Sequence, residues 1–250
     1  WNSPVAILTN TLPAALAAGN CVIIKPSEHA STTTLEMAKL CEKAGFPAGV
    51  VQVVTGAGDV GRVLTESKLV DKISFTGSTG VGSMIAQAAG ANLKPVTMEL
   101  GGKSPNIVFD DADFDRALVG ALAGIFGATG QTCIAGSRLL VQRGIYDRMV
   151  EGLAERAKMI RMGDPRLPET EMGTAANEPQ FQKILSFIEA AKGDGARLVA
   201  GGGRAEGPGL EKGFFVQPTI FADVRNDMKV AAEEIFGPVL SIIPFTDEEE

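Results

Sequence analysis

The sequence is short of the side chains from which many active sites are built. Its 250 residues contain one histidine, one tryptophan, one tyrosine and three cysteines. The single His29 sits beside Glu28 in the polar segment Lys25-Pro-Ser-Glu-His29, so a cysteine–histidine dyad is disfavoured and the imidazole reads as solvated surface. Three unevenly spaced cysteines argue against a disulfide scaffold and for a reducing, cytoplasmic compartment. With a formal net charge of −7 and no Lys/Arg stripe interleaved with aromatics, nucleic acid is not an expected partner. No apolar run approaches the ~20 residues of a membrane span. No metal site is expected.

What remains is ordinary globular material, 45% hydrophobic and 21% charged, enough for a sizeable core. Apolar periodicity predicts helices over Ser3–Ala18 (despite Pro13), Ser31–Ala44, Asp59–Thr65 and Thr79–Ala89. Strands are predicted at Cys21–Lys25, Val50–Val54, Lys72–Thr76 and Pro95–Leu100. Strict alternation of strand and helix implies an α/β fold with a parallel sheet covered on both faces. Residues 1–100 therefore read as a partial dinucleotide-binding domain.

After Gly101 a second α/β unit follows, 101–250, read as a partial catalytic domain. Its expected elements are strands Asn106–Phe109, Arg138–Gln142 and Arg197–Ala200, with helices Asp113–Ile125, Ile145–Ile160 and Glu178–Lys192. The glycine-rich run Gly201-Gly-Gly-Arg-Ala-Glu-Gly207 reads as a surface connection, since no helix follows it. Glu99 to Gly102 forms the natural hinge, which would put a carboxylate and a thiol on opposite sides of one cleft.

That carboxylate and thiol carry the chemistry. Glu99-Leu-Gly-Gly-Lys103 and Gly130-Gln-Thr-Cys133 each set one reactive group in a glycine-flanked segment. A cysteine attacks as its thiolate, and a carboxylate can accept a proton or activate water. Cys21, in the apolar run Cys21-Val-Ile-Ile24, and Cys41, in a helix, read as core packing. Cys133 follows a stretch with little periodicity and is the best nucleophile available. Glu99 is the leading base, provided that burial near an apolar wall lifts its pKa. A surface carboxylate at a strand end is the alternative.

Two loops compete for a nucleotide. Gly56-Ala-Gly-Asp-Val-Gly61 matches G-x-G-x-x-G after a strand, but the acidic ribose partner expected about twenty residues on is missing. Gly77-Ser-Thr-Gly-Val-Gly82 follows a strand and opens a helix, so its backbone N–H groups could face an anion. An ordinary capped helix start has the same appearance.

In this order and approximate spacing, Trp1-Asn2, Lys25-Pro-Ser-Glu28, Phe75-Thr-Gly-Ser-Thr-Gly80, Glu99-Leu-Gly-Gly-Lys-Ser-Pro105, Gly130-Gln-Thr-Cys133 and Glu233-Glu-Ile-Phe-Gly-Pro-Val239 resemble the aldehyde dehydrogenase superfamily across essentially the whole chain. The resemblance implies an aldehyde dehydrogenase-like fold, a parallel Rossmann-type sheet plus a second α/β domain. It also implies oxidation of an aldehyde to a carboxylate, with hydride transfer to NAD (NADP possible) through a cysteine thioester. By the same resemblance Cys133 is the nucleophile, Asn2 an oxyanion donor and Glu99 the hydrolytic base. Gly58 would lie at the adenine end of the cofactor, Ser78 and Trp1 on its phosphates with Gly77 and Leu100 beside them, and Lys25 and Glu28 on the adenosine ribose. Glu234 would hold the nicotinamide ribose, with Phe236 packed beside it and Pro238 ending the local structure. Glu28 favours NAD, because a carboxylate repels a 2′-phosphate.

Relatives of this kind run to about twice this length, so the chain reads as a piece whose last residues, Asp247 to Glu250, enter a helix. The full-length protein is expected to be a homodimer or homotetramer. Two alternatives stand: a coenzyme-A-acylating dehydrogenase, disfavoured by Glu99, and an idle structural protein, disfavoured by intact Asn2, Glu99 and Cys133. Ser3, Thr132 and Ile134 would help to line the aldehyde pocket, and the small polar Ser3 and Thr132 suggest a roomier or more polar one.

Overall fold

A computed structural model describes residues 1–250. They fall into two compact units, Trp1–Gly101 and Gly102–Glu250.

The first unit runs α1 (Pro4–Ala17), β1 (Val22–Ile24), α2 (Thr32–Lys43), β2 (Val51–Val53), α3 (Gly58–Glu66), β3 (Ile73–Gly77), α4 (Thr79–Gly90) and β4 (Val96–Leu100). Pro4 opens α1, where its missing N–H is one of the unpaired donors of any helix start. Ser78 caps α4 by accepting from the Val81 N–H at 3.4 Å. β1 pairs parallel with β2, and β3 with β4 in the register Thr76↔Glu99 and Gly77↔Leu100. The strands are parallel as expected and form two separate pairs, with α1 and α2 packed on the first and α4 on the second. Ile23 is 44% exposed, and Cys21, one residue before β1, is exposed while Cys41 is half-buried. The expectation that both cysteines pack in a core is therefore wrong: Cys21 falls just before the paired residues of β1, and Cys41 sits on a face of α2 that is only partly covered.

Two lysines tie this unit together through backbone carbonyls. Lys25 Nζ donates to the carbonyls of Pro26 at 2.8 Å and Gly56 at 2.9 Å, joining the ends of β1 and β2. Lys94 Nζ donates to the carbonyls of Thr65 at 2.7 Å and Ser67 at 2.6 Å, fixing the end of α3 beside the entry to β4.

The second unit runs β5 (Pro105–Val108), α5 (Phe114–Phe126), β6 (Arg138–Gln142), α6 (Tyr146–Lys158), α7 (Glu178–Gly193), β7 (Arg197–Ala200), β8 (Thr219–Ala222), α8 (Lys229–Ala232) and β9 (Val239–Phe245). Asp113 and Asn177 cap α5 and α7, accepting from the N–H groups of Arg116 and Gln180 at 3.1 and 2.9 Å. The strands form one sheet in the order β5-β6-β9-β8-β7, parallel except for the antiparallel β7–β8 pair. Alternate residues feed opposite faces. Leu139, Val141, Ile220, Leu240 and Ile242 pack with α5 and α6, whereas Phe221, Val239 and Ile243 pack with α7 and α8.

The sequence reading missed β8, α8 and β9. Thr219-Ile-Phe-Ala222 is buried at every position and shows no alternation. Pro238 was expected to end local structure, yet β9, the central strand, begins at the next residue and carries Pro244 inside it. Residues 246–250 form a turn and not a helix, with Asp247 Oδ1 accepting from the Glu249 N–H at 3.0 Å. The glycine-rich connection is more than surface: Arg204 pairs with Val216, and Ala205 is buried.

Candidate active site

The expected nucleotide residues of the first unit collect at the C-terminal ends of its parallel strands, where ligands of such sheets bind. Lys25 follows β1, Gly58 opens α3 after β2, Gly77 ends β3 and Ser78 caps α4. The β3–β4 register sets Glu99 and Leu100 beside Thr76 and Gly77. Leu100 packs so closely on α4 that a Cβ on Gly82 would lie 2.6 Å from its Cδ2, which holds the helix start against β4. A Cβ on Gly58 or Gly80 would meet nothing within 4 Å, so the backbone at both helix starts is open to a ligand. A Cβ on Gly77, in contrast, would strike the Phe75 ring.

Lys25 has three N–H donors, of which its two carbonyl bonds use two. Glu28 is exposed. Asn2 is half-buried and precedes Ser3, whose left-handed backbone (φ 46°, ψ 48°) turns the chain into α1. Glu99 is exposed. The burial that the sequence reading required of this carboxylate is therefore not supplied by its own strand, where Thr97, Met98 and Leu100 are half-buried and Glu99 is not.

The thiol loop of the second unit is shaped by backbone strain. At the end of α5, Ala128 (φ 49°, ψ 31°), Thr129 (φ 57°, ψ 31°) and Gly130 (φ 67°) are left-handed in succession. Glycine is required at position 130, since a Cβ there would sit 2.1 Å from the Gly237 carbonyl oxygen. Buried Gln131 anchors the next stretch of backbone: its Oε1 accepts from the Ala176 N–H at 2.9 Å and its Nε2 donates to the Thr174 carbonyl at 3.3 Å. A turn closed by the Ala135 N–H donating to the Thr132 carbonyl at 3.1 Å then presents Cys133 and Ile134 to solvent.

The approach of Gly237 brings the late motif beside this loop. Glu234, Phe236 and Gly237 line one narrow depression of about 10 Å³ with Gly102, Thr132 and Ser137. Glu234 Oε1 accepts from the Gly102 N–H at 3.4 Å. Phe236 is left-handed (φ 61°), and Gln180 Nε2 clamps this turn by donating to the carbonyls of Ile235 and Phe236 at 2.8 and 2.9 Å. Sequence reasoning passed over Gln131 and Gln180, for an amide that braces a backbone leaves no pattern in sequence. Asn2 and Glu99 belong to the first unit, Cys133, Glu234 and Phe236 to the second.

The aldehyde dehydrogenase family profile matches residues 1–250. The chain belongs to the aldehyde dehydrogenase family. It is 49% identical over 250 residues to a betaine aldehyde dehydrogenase of Brucella anthropi, covering all of this chain and 51% of that one. A solved betaine aldehyde dehydrogenase mutant of Staphylococcus aureus, in complex with NAD+ and with a BME-modified cysteine, superposes with a TM-score of 0.98 at 40% identity, over all of this chain and 51% of its own. HpcC of Thermus thermophilus gives the same TM-score at 43% identity, with 49% of its chain covered. This aldehyde dehydrogenase chain thus spans about half the length of the relatives it matches, and its α/β architecture is that of the family, with a Rossmann-type first unit. None of its helices is long and apolar enough to cross a membrane.

Proposed function

We propose that this chain carries the catalytic and much of the cofactor-binding machinery of a cytoplasmic NAD-dependent aldehyde dehydrogenase that oxidises an aldehyde to its carboxylate. The single observation that carries the reading is the thiol loop: a strained, clamped turn inside a family motif that leaves Cys133 in solvent. The first unit is the partial dinucleotide-binding domain and the second the partial catalytic domain, both completed elsewhere in the protein.

The residues of the first unit fit the dinucleotide. Open backbone at Gly58 and Gly80, the capped start of α4 at Ser78 and the third proton of Lys25 suit phosphates and a ribose. Gly77, Leu100 and Trp1 complete that wall. Glu28, exposed and anionic, supports NAD over NADP. In the second unit Glu234 would accept from the nicotinamide ribose hydroxyls, with Phe236 limiting the swing of the ring. When bound, the nicotinamide supplies the hydride acceptor.

The chain's own residues do the rest. Cys133 attacks the aldehyde carbon as its thiolate, while the Asn2 amide and the Cys133 N–H stabilise the oxyanion, each such donor lowering the barrier by ~3 kcal/mol. Loss of hydride leaves a thioester on Cys133. Glu99 takes a proton from water, the resulting hydroxide attacks the thioester carbon, and the carboxylate leaves as the thiolate is regenerated. Ser3, Thr132 and Ile134 would help to line the aldehyde site, and the assembled protein would be a homodimer or homotetramer.

The test is turnover of the full-length protein on an aldehyde panel with NAD, NADP and added coenzyme A. Reduced NAD should form without coenzyme A, and Glu99→Gln should accumulate an acyl adduct on Cys133 visible by intact mass. Normal turnover by Glu99→Gln removes it as the base, and strict dependence on coenzyme A replaces hydrolysis by acyl transfer.

A further inference from the structure

The family motif around Glu99 ends in a residue for which the proposed mechanism has no use. Lys103 is half-buried, and its enclosed Nζ has no hydrogen-bond acceptor among these residues. A buried ammonium without an acceptor costs the fold free energy that an apolar side chain of similar length would not. Its charge therefore serves something other than stability.

The surroundings indicate what. Two charged groups act on Lys103: Arg138 on β6, and Glu234. Arg138 is already committed, donating through Nε to the Lys103 carbonyl at 3.0 Å and through Nη1 to Asn226 Oδ1 at 3.2 Å. Glu234 accepts from the N–H of Gly102, the residue next to Lys103, and leaves its second oxygen free for the depression it lines. Lys103 is thus the one cation of this cluster not engaged by another acceptor while Glu234 faces it.

We propose that Lys103 is a positioning residue for Glu234, whose enclosed positive charge holds that carboxylate turned toward the opening where the nicotinamide ribose would bind. The assignment rests on the reading of Glu234 given under Proposed function. Burial, with Arg138 adding to it, lowers the Lys103 pKa to about 8 against the opposing pull of Glu234. The hold on Glu234 is accordingly complete while Lys103 is protonated, below about pH 8, and fades as pH rises through that value.

The experiment uses the full-length enzyme with NAD as the probe. Lys103→Met should raise the KM for NAD about tenfold at neutral pH, the size of one lost charge-assisted contact, with kcat changed less. Lys103→Arg should recover most of it. In the unaltered enzyme the KM for NAD should be flat below pH 8 and climb above it, whereas in Lys103→Arg it should stay flat, because a guanidinium does not lose its proton there. In a Glu234→Gln background Lys103→Met should add nothing further. An unchanged KM in Lys103→Met, or penalties that multiply in the double variant, overturns the assignment. If Glu234→Gln alone leaves the KM unchanged, the ribose reading of Glu234 fails first and takes this one with it. If Lys103→Met does not fold, the pH profile decides: a KM for NAD that is constant across pH 8 in the unaltered enzyme overturns the proposal.

Discussion

The two units solve the problem of holding a loop in opposite ways. The second wraps a five-stranded sheet in apolar clusters on both faces, and its central strand β9 is buried at every position but Pro244. The first has few buried side chains, with Leu12, Pro26 and Ala89 its buried apolar residues other than glycine, and leaves Ile23 and Val63 44% and 64% exposed. Its strand ends are joined instead by ammonium-to-carbonyl bonds from Lys25 and Lys94. Binding a dinucleotide at helix starts asks for little more than backbone N–H groups aimed outward, which short parallel strands with capped helices supply. Three successive left-handed residues in front of a thiol are another matter, and only a dense interior keeps them in place.

This contrast can be broken or sharpened by substitution. Leu153→Ala, at a fully buried position of α6, should have the largest effect, destabilising the second unit by about 2–5 kcal/mol in denaturant unfolding. A loss under 1 kcal/mol would mean that the interior is loosely packed. Lys94→Met should cost less, about 1.5–3 kcal/mol, with amide exchange accelerating in α3 and β4 while β9 stays protected. Uniform acceleration in both units would show that they unfold as one. Ser78→Ala should be smallest, about 1 kcal/mol from the lost cap, with weaker NAD binding in titration. An unchanged affinity would leave Ser78 as a cap alone.

How much of this was legible depends on whether the signal is local. β6 and β7 have the residue limits read from their runs, and α7 and α4 lie within a residue of theirs, because caps, periodicity and breakers are written into the segment itself. β8 and β9 were illegible for the opposite reason. A strand enclosed on both faces loses its alternation, and the prolines flanking and interrupting β9 resemble punctuation when only sequence is in view. The site divided similarly. Glycine-flanked Cys133 and the motif of Glu234 and Phe236 stood out, and the structure brings Thr132, Glu234 and Phe236 to one depression. Gln131, Gln180 and Lys103 did not, since their importance comes from burial beside segments distant in the chain. Glu99 was read as a buried carboxylate, whereas it is exposed, since residue type at a strand end does not fix burial.

The open setting of Cys133 reaches beyond turnover. A sulfur at the tip of a turn, beside an Ile134 that is 82% exposed, is within reach of any peroxide or small disulfide in its surroundings. Oxidation to the sulfenic acid or a mixed disulfide can be undone by reductant, but the sulfinic form cannot. An exposed thiol of this kind is thus open to its redox environment in a way that an enclosed one is not.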